Sequence, residues 1–334
     1  TIGMLKAALP LPAILGTQAP LQNDADLKTT GWEVEVGWND KIGDFRYGLN
    51  VNLFDNQSKI TRFAVAEKLI GQFYEGHEIG EIWGYVTDGY YTVDDFVEGT
   101  LNADLSGANR QLNPDVPQVE NAPVPYPGDI KYRDLDGDGV ITDGNNTVDN
   151  SGDRKIIGNS TRRYQFGING NIGYKGWDLS FVLSGVGKRD RWRAVGGDQD
   201  IIFPYPSVFD HIYSHQLDFW TPDNQDAFYP RIYGDASAGN IDSNYSRSRF
   251  VQTKYLSDEA YLRIQNITLG YSLDQKFLDK LNIDKLRVFV AGNNLFTFDK
   301  LQRGLDPDQS NSNAGIRTRY PILAQYSFGV NVSF

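Results

Sequence analysis

Residues 322–334 read Ile322-Leu323-Ala324-Gln325-Tyr326-Ser327-Phe328-Gly329-Val330-Asn331-Val332-Ser333-Phe334. In an extended chain Ile322, Ala324, Tyr326, Phe328, Val330, Val332 and Phe334 fall on one side, and Gln325, Ser327, Gly329, Asn331 and Ser333 on the other. Period two over this length predicts a strand with two unlike faces. The same period appears upstream. In 31–38, Trp32, Val34, Val36 and Trp38 oppose Glu33, Glu35 and Gly37; in 44–55, Phe45, Tyr47, Leu49, Val51 and Leu53 oppose Arg46, Gly48, Asn50 and Asn52. In 164–174, Phe166, Ile168, Ile172 and Tyr174 oppose Gln165, Gly167, Asn169, Asn171 and Gly173. In 177–184, Trp177, Leu179, Phe181 and Leu183 oppose Asp178, Ser180 and Ser184, with Val182 out of pattern. Segments 258–273 and 284–298 are less regular, since Leu262 and Ile264 are out of phase with Ile267, Leu269 and Tyr271. A bulge near Gln265 accounts for that slip.

The connections between these seven strands alternate in length. Short turns are expected around Asn39-Asp40-Lys41, at Lys175-Gly176 and from Gln275 to Asn282, while long loops are expected at about 56–160, 189–257 and 299–319. If successive strands are antiparallel neighbours, all short turns lie at one end and all long loops at the other. Outer-membrane barrels segregate their loops in this way, and their strands need about 9 to 11 residues to cross the bilayer. In a barrel the Gly, Asn, Ser and Gln set faces the lumen and the aromatic and aliphatic set faces lipid; on a soluble sheet the same sets face water and a core. Seven strands is too few for the usual closed barrel, and an open edge in lipid leaves backbone groups without partners. The chain is therefore expected to be one piece of a larger barrel.

Composition removes other classes. Lys and Arg number 32 against 43 Asp and Glu, a net charge of −11 that repels phosphates, so no nucleic-acid partner is expected. With no cysteine there is neither a disulfide framework nor a thiolate metal site. The apolar stretch Ala7 to Leu15 is broken by Pro10 and Pro12 and falls short of the roughly 20 residues of a membrane helix. No export signal is recognisable from Thr1 onward, so any such signal is expected to lie outside this sequence.

Several motifs, in order along the chain, are similar to those of SusC/RagA-like TonB-dependent outer-membrane transporters of Bacteroidetes. They are Leu15-Gly16 with Pro20 and Gly31-Trp32-Glu33; Ile79-Gly80-Glu81-Ile82-Trp83-Gly84-Tyr85 with Asp88-Gly89; and Pro127-Gly128-Asp129-Ile130-Lys131-Tyr132-Arg133-Asp134 running on to Asp136-Gly137-Asp138-Gly139. Further on come Ile157-Gly158, Phe166-Gly167 and Tyr174-Lys175-Gly176-Trp177-Asp178-Leu179-Ser180; then Tyr261-Leu262-Arg263-Ile264-Gln265-Asn266-Ile267-Thr268-Leu269-Gly270-Tyr271, Asn293-Asn294-Leu295-Phe296, Asp306-Pro307 and the final Phe334. Each pattern is short, and it is their order that carries weight. The resemblance implies an all-β fold, an antiparallel transmembrane β-barrel, of which 1–334 would be the C-terminal portion of a plugged 22-stranded barrel whose N-terminal plug is absent from this chain. It also implies active import of a large glycan or peptide, a SusD-like surface lipoprotein as lid, TonB and its inner-membrane motor as energy source, and no enzyme activity. A last strand bearing Tyr326, Phe328 and Phe334 fits the family's barrel-assembly signal. The competing class is a soluble all-β carbohydrate-binding module or polysaccharide-degrading enzyme.

Local chemistry is sparse. Asp134-x-Asp136-x-Asp138-Gly139-Val140 places three carboxylates at alternate positions, a turn glycine, and the Val140 carbonyl at position seven, as a Ca²⁺ loop does. Position twelve is Asn145 rather than Glu; Asp143, Asp149 or Asp153 are the candidate replacements, and an acidic turn that binds nothing is the alternative. No cofactor beyond that structural ion is expected. His211 and His215, four apart, lack the glutamate of a zinc-protease motif and read as a surface pair. Lys188-Arg189-Asp190-Arg191-Trp192-Arg193 is expected to contact lipopolysaccharide or solvent, and Asp94-Asp95 to be a chance carboxylate pair. Tyr85, Tyr90, Tyr91, Phe219, Trp220 and Tyr229 are expected mainly to pack the long loops, which need a core of their own.

Overall fold

The computed structural model describes residues 5–8, 21–63, 66–107, 109–192, 214, 217–232, 250–279, 282–301, 305–308 and 322–334. In chain order the strands are β1 (Leu5–Ala8), β2 (Leu21–Ile42), β3 (Phe45–Phe63), β4 (Glu81–Tyr85), β5 (Thr87–Tyr90), β6 (Gln118–Val119), β7 (Ile130–Tyr132), β8 (Val140–Ile141), β9 (Arg154–Asn159), β10 (Arg163–Tyr174), β11 (Trp177–Lys188), β12 (Asp190–Arg191), β13 (Ser257–Asp258), β14 (Tyr261–Ser272), β15 (Lys285–Asp299) and β16 (Gln325–Ser333). A single helical turn, α1 (Gln275–Leu278), links β14 to β15.

Eight strands form one antiparallel sheet in the order β1-β2-β3-β10-β11-β14-β15-β16. The described sheet does not close: β1 and β16 are its two ends. Its short connections, between β2 and β3, β10 and β11, and β14 and β15, lie at one end, and the long connections at the other. At Lys175-Gly176 both residues have positive φ, 44° and 87°, the two-residue turn whose twist matches that of its flanking strands.

Three sequence expectations are corrected. Asn39, Asp40 and Lys41 are not a turn but the end of β2, paired with Gly48, Tyr47 and Arg46; the turn is Gly43-Asp44, where Gly43 takes φ 62°. Strand β3 runs to Phe63, so the first long connection starts near residue 64 rather than 56. The sheet has eight strands rather than seven, because Leu5–Ala8 pairs with β2. The expected bulge is present: Ile264 pairs with Phe296 and Asn266 with Asn293, which leaves Gln265 unpaired opposite Asn294, at φ 51°, and Leu295.

Register builds the two faces. Paired residues share a face, so Val36, Val51, Ile168, Leu183, Ile264 and Phe296 form one apolar row across six strands, and Tyr47, Ile172, Leu179, Leu269, Val290 and Phe328 another. Much of this face is uncovered: Val36 is 60%, Trp38 61% and Phe328 72% exposed. The opposite face carries Asn52, Gly167, Ser184 and Arg263 in one row and Asn50, Asn169, Val182, Asn266 and Asn293 in the next. Beyond the end of β10, β3 keeps β2 as a neighbour on one side only, and residues 76–79 cover its other edge through bonds from Ile60 N to the His77 carbonyl and from Ile79 N to the Ser58 carbonyl, both 2.9 Å.

Candidate functional site

The described parts of the long connections fold into a cap. Its two-stranded pairs are β4 with β9, β5 with β7, β6 with β8, and β12 with β13. Between them lies a core of Tyr85, Tyr90, Ile130, Tyr132, Ile141, Trp220, Ala227 and Tyr255, drawn from the first and second long connections. The Pro127–Tyr132 motif lies at its centre. Gly128 has φ 93°, and a Cβ there would run into the Trp220 ring and Arg231, so the position needs glycine on both counts. Buried Asp129 accepts from Tyr126 N at 2.7 Å and closes the turn. The tyrosine hydroxyls find carbonyls: Tyr90 donates to Phe228 at 2.7 Å, Tyr255 to the same carbonyl at 2.7 Å, and Tyr91 to Pro117 at 2.8 Å. Burial pushes the Tyr85 phenol up to about 12 and raises Tyr90 and Tyr255 as well. These aromatics are a core, as are Trp220 and Tyr229, while Phe219 is partly buried.

A second cluster ties the third long connection to the sheet. Arg263, on the polar face of β14 and 3% exposed, donates to Asp306 through Nη2 and to Asp308 through Nη1, both at 2.7 Å, and through Nε to Thr297 at 2.9 Å. Asp308 also accepts from the Tyr261 hydroxyl at 2.6 Å and from Arg162 at 3.4 Å. Beside it Arg189 pairs at 3.1 Å with Glu259, which is fully buried, and donates to the Ser160 carbonyl. This corrects the reading of the 188–193 run: Arg189 and Arg191 turn inward to Glu259, Asp190 caps Asn159 N at 3.0 Å, and only Lys188 of the described basic residues is exposed. The sequence held one signal of this, an arginine at a polar-face position of the 261–271 motif with Asp306-Pro307 downstream. Nothing local marked Glu259 as its neighbour's partner.

The acidic loop lies at the cap surface. Carboxylate oxygens of Asp134, Asp136 and Asp138 come within 4.8 Å of one another. Each also accepts backbone N–H groups: Asp134 from Gly137 at 2.6 Å and Gly139 at 2.8 Å, Asp136 from Asp138 at 3.2 Å, and Asp138 from Val140 at 2.8 Å. The Gly139 and Gly137 N–H groups hold the Asp134 carboxyl below its ordinary value. Val140 opens β8. Of the three replacement ligands, Asp153 stands at the base of the loop, fully buried, with its two oxygens accepting from Leu135 N at 2.7 Å and Thr142 N at 2.8 Å; burial raises its pKa. Asn145 belongs to the next turn, bonded to the Asn150 carbonyl.

The remaining candidates separate. Asp95 accepts from Thr92 N at 2.6 Å and pairs with Lys131 at 3.1 Å, so it braces a turn, and Asp94 is exposed. Tyr326, Phe328 and Phe334 lie at the end strand of the sheet and are exposed. His211, His215, Leu15, Gly16 and Pro20 lie outside the described residues. The polar face holds an amide ladder, with Asn266 donating to Asn293 at 2.8 Å and Asn50 to Glu35 at 3.0 Å. Its amide groups present both hydrogen-bond donors and acceptors.

No protein-family model matches the chain. Two curated proteins of Formosa agariphila do: TonB-dependent receptor P3, 26% identical over 351 residues, and TonB-dependent receptor P39, 24% identical over 358. The matches cover 97% and 98% of this chain. Along its length the chain is similar to TonB-dependent receptors. It spans 30% and 32% of those two receptors' own lengths. Among solved structures, the RagAB peptide importer in its open-open state matches 99% of this chain and 31% of its own with a TM-score of 0.63 at 18% identity; the closed-closed state matches 99% and 32% with 0.59 at 19%. The antiparallel sheet thus shares its fold with the RagAB importer structures, in keeping with the barrel that strand periodicity and loop segregation predicted.

Proposed function

We propose that this chain forms part of the wall and cap of a TonB-dependent outer-membrane barrel that imports a large nutrient. The observation that carries the reading is the sheet itself, with a continuous exposed apolar face, an amide-lined opposite face, and all long connections gathered at one end. An apolar surface of this extent in water would be an aggregation liability; in a bilayer it is the lipid-facing belt. No observation favours the soluble reading. The relatives bear the names of receptors and importers rather than enzymes, and the one adjacent carboxylate pair considered for catalysis includes Asp95, which is committed to a turn. By the same reading the barrel is the C-terminal portion of a plugged transporter, with the cap outside the cell beneath a SusD-like lipoprotein. The likeness to the RagAB peptide importer favours oligopeptide over glycan as cargo. The Asp134, Asp136 and Asp138 carboxylates with the Val140 carbonyl are assigned a structural Ca²⁺ that braces the cap.

The test is deletion of the encoding gene in the native host, followed by growth on oligopeptides and on oligosaccharides with TonB present and absent. Loss of growth on one class in the deletion strain, reproduced by loss of TonB, is the expected outcome. Unchanged growth on both classes, or uptake that persists without TonB, overturns the reading.

A further inference from the structure

A cavity of about 220 Å³ lies where the second and third long connections meet, and its wall includes Phe228, Lys254, Tyr255, Leu256, Leu301 and Leu305. Lys254 is its chemically unusual member. The ammonium stands 4.5 Å from the centre of the Tyr90 ring and 6.0 Å from those of Phe228 and Tyr255. Its one hydrogen bond is long, 3.4 Å to the Ala227 carbonyl, and among the described residues it enters no ion pair. Lys300, also on the wall, is by contrast neutralised by Asp258 at 2.8 Å. Desolvation lowers the Lys254 pKa, while Asp218 and Asp226 oppose that shift from a distance. Ring faces stabilise a cation but accept no strong hydrogen bonds, so the ammonium keeps N–H donors to offer a ligand that enters the cavity.

A carboxylate supplies two acceptors and a charge, and charge-assisted bonds in a partly dry site are the strong kind. Phe228, Tyr255, Leu256, Leu301 and Leu305 supply most of the rest of the wall, which suits a hydrocarbon side chain next to that carboxylate; the polar remainder is Ser257 and the Asp258–Lys300 pair. A sugar acid would instead bring a ring of hydroxyls, and beside Lys254 the wall has only Ser257 and the Asp258–Lys300 pair to partner them. The size admits one residue rather than a length of chain. We propose that this cavity binds the C-terminal carboxylate and last apolar side chain of a peptide, with Lys254 as the anion-binding group. The inference rests on the import reading for its cargo class.

The test uses the full-length protein in detergent and calorimetric titration of an octapeptide ending in leucine, as free acid and as C-terminal amide, with glucuronate as a third ligand. The free acid is expected to bind about tenfold more tightly than the amide. Lys254→Met is expected to erase that difference and Lys254→Arg to retain it, with heat-modifiable migration checking that both variants fold. Should Lys254→Met fail to fold, the acid and amide comparison on the unaltered protein still decides. Equal affinity for acid and amide, no binding of either peptide, or binding of glucuronate alone overturns the proposal. If acid preference is absent while TonB-dependent uptake persists, only the cavity assignment falls; if uptake proves independent of TonB while acid preference persists, the import reading falls instead.

Discussion

Arg263 shows how much one side chain can hold in this structure. Its guanidinium reaches both carboxylates of the 305–308 segment, and those carboxylates are about a quarter exposed, so the coupling is weaker than in a fully buried pair. Arg263→Ala should therefore cost the docked state of the third connection about 2 kcal/mol, roughly a 30-fold rise in its open fraction. Limited proteolysis between Asp299 and Ile322 should accelerate accordingly while the sheet stays intact; an unchanged cleavage rate would show that the segment is held by something else. The acidic loop carries a second prediction at this scale. Three carboxylates whose oxygens lie within 4.8 Å repel one another unless a cation stands between them. If Ca²⁺ does, chelation should increase nicking between Gly128 and Asn159 and leave the strands uncut, whereas identical digests with and without chelator would leave the backbone N–H groups as sufficient support. At residue scale the sequence was least legible. The Asp-x-Asp-x-Asp spacing was visible, but Asp153 became its neighbour only through a turn, and Lys254 has no motif around it because its setting joins the adjacent Tyr255 to Tyr90 and Phe228 from distant positions.

The strands are where the sequence spoke most clearly, since a period of two determines facing without any knowledge of partners. Phe181 and Ser180 give the cleanest contrast. Phe181 pairs with Gly170 and Ile267 on the apolar face, and its ring lies over Gly170, filling the space a side chain there would take. Ser180 pairs with Asn171 and Thr268 on the polar face. Phe181→Arg should cost roughly 2–4 kcal/mol by placing a cation in lipid near mid-strand, and Ser180→Arg far less. Folding yields into liposomes measure the difference, and comparable yields would refute the assignment of faces. Strand ends were read less well. Asn39, Asp40 and Lys41 have turn composition, yet they continue β2 because their partners Gly48, Tyr47 and Arg46 continue β3, and pairing outweighs local preference in a sheet. The bulge was legible only as a phase slip at Gln265; its other half, Asn294 at positive φ, lay inside a motif with no visible reason for its asparagines.

For the whole molecule the open question is closure. Eight described strands spaced about 4.8 Å apart make a wall rather than a ring, and in lipid a free strand edge leaves N–H and C=O groups unpaired at several kcal/mol each. Strand β16 pairs with β15 from Lys285↔Ser333 to Asn293↔Gln325, and no described strand pairs with its other edge. A closed barrel requires that edge to meet another strand. Removing Val330 to Phe334 takes away the pairs Val288↔Val330 and Leu286↔Val332 on the apolar face, and with them the last stretch of the free edge. Two defects should follow: slower delivery to the outer membrane, if Tyr326, Phe328 and Phe334 form the assembly signal, and failure to close. Phe334→Ala separates them, because Phe334 lies beyond the last ladder pair and its loss leaves the edge intact. That variant should reach the membrane more slowly yet show a normal heat-modifiable band once there, whereas the five-residue deletion should show none. Normal amounts of folded protein after the deletion would mean that β16 is not a closing strand, and the eight-stranded sheet would then need another way to satisfy its edge.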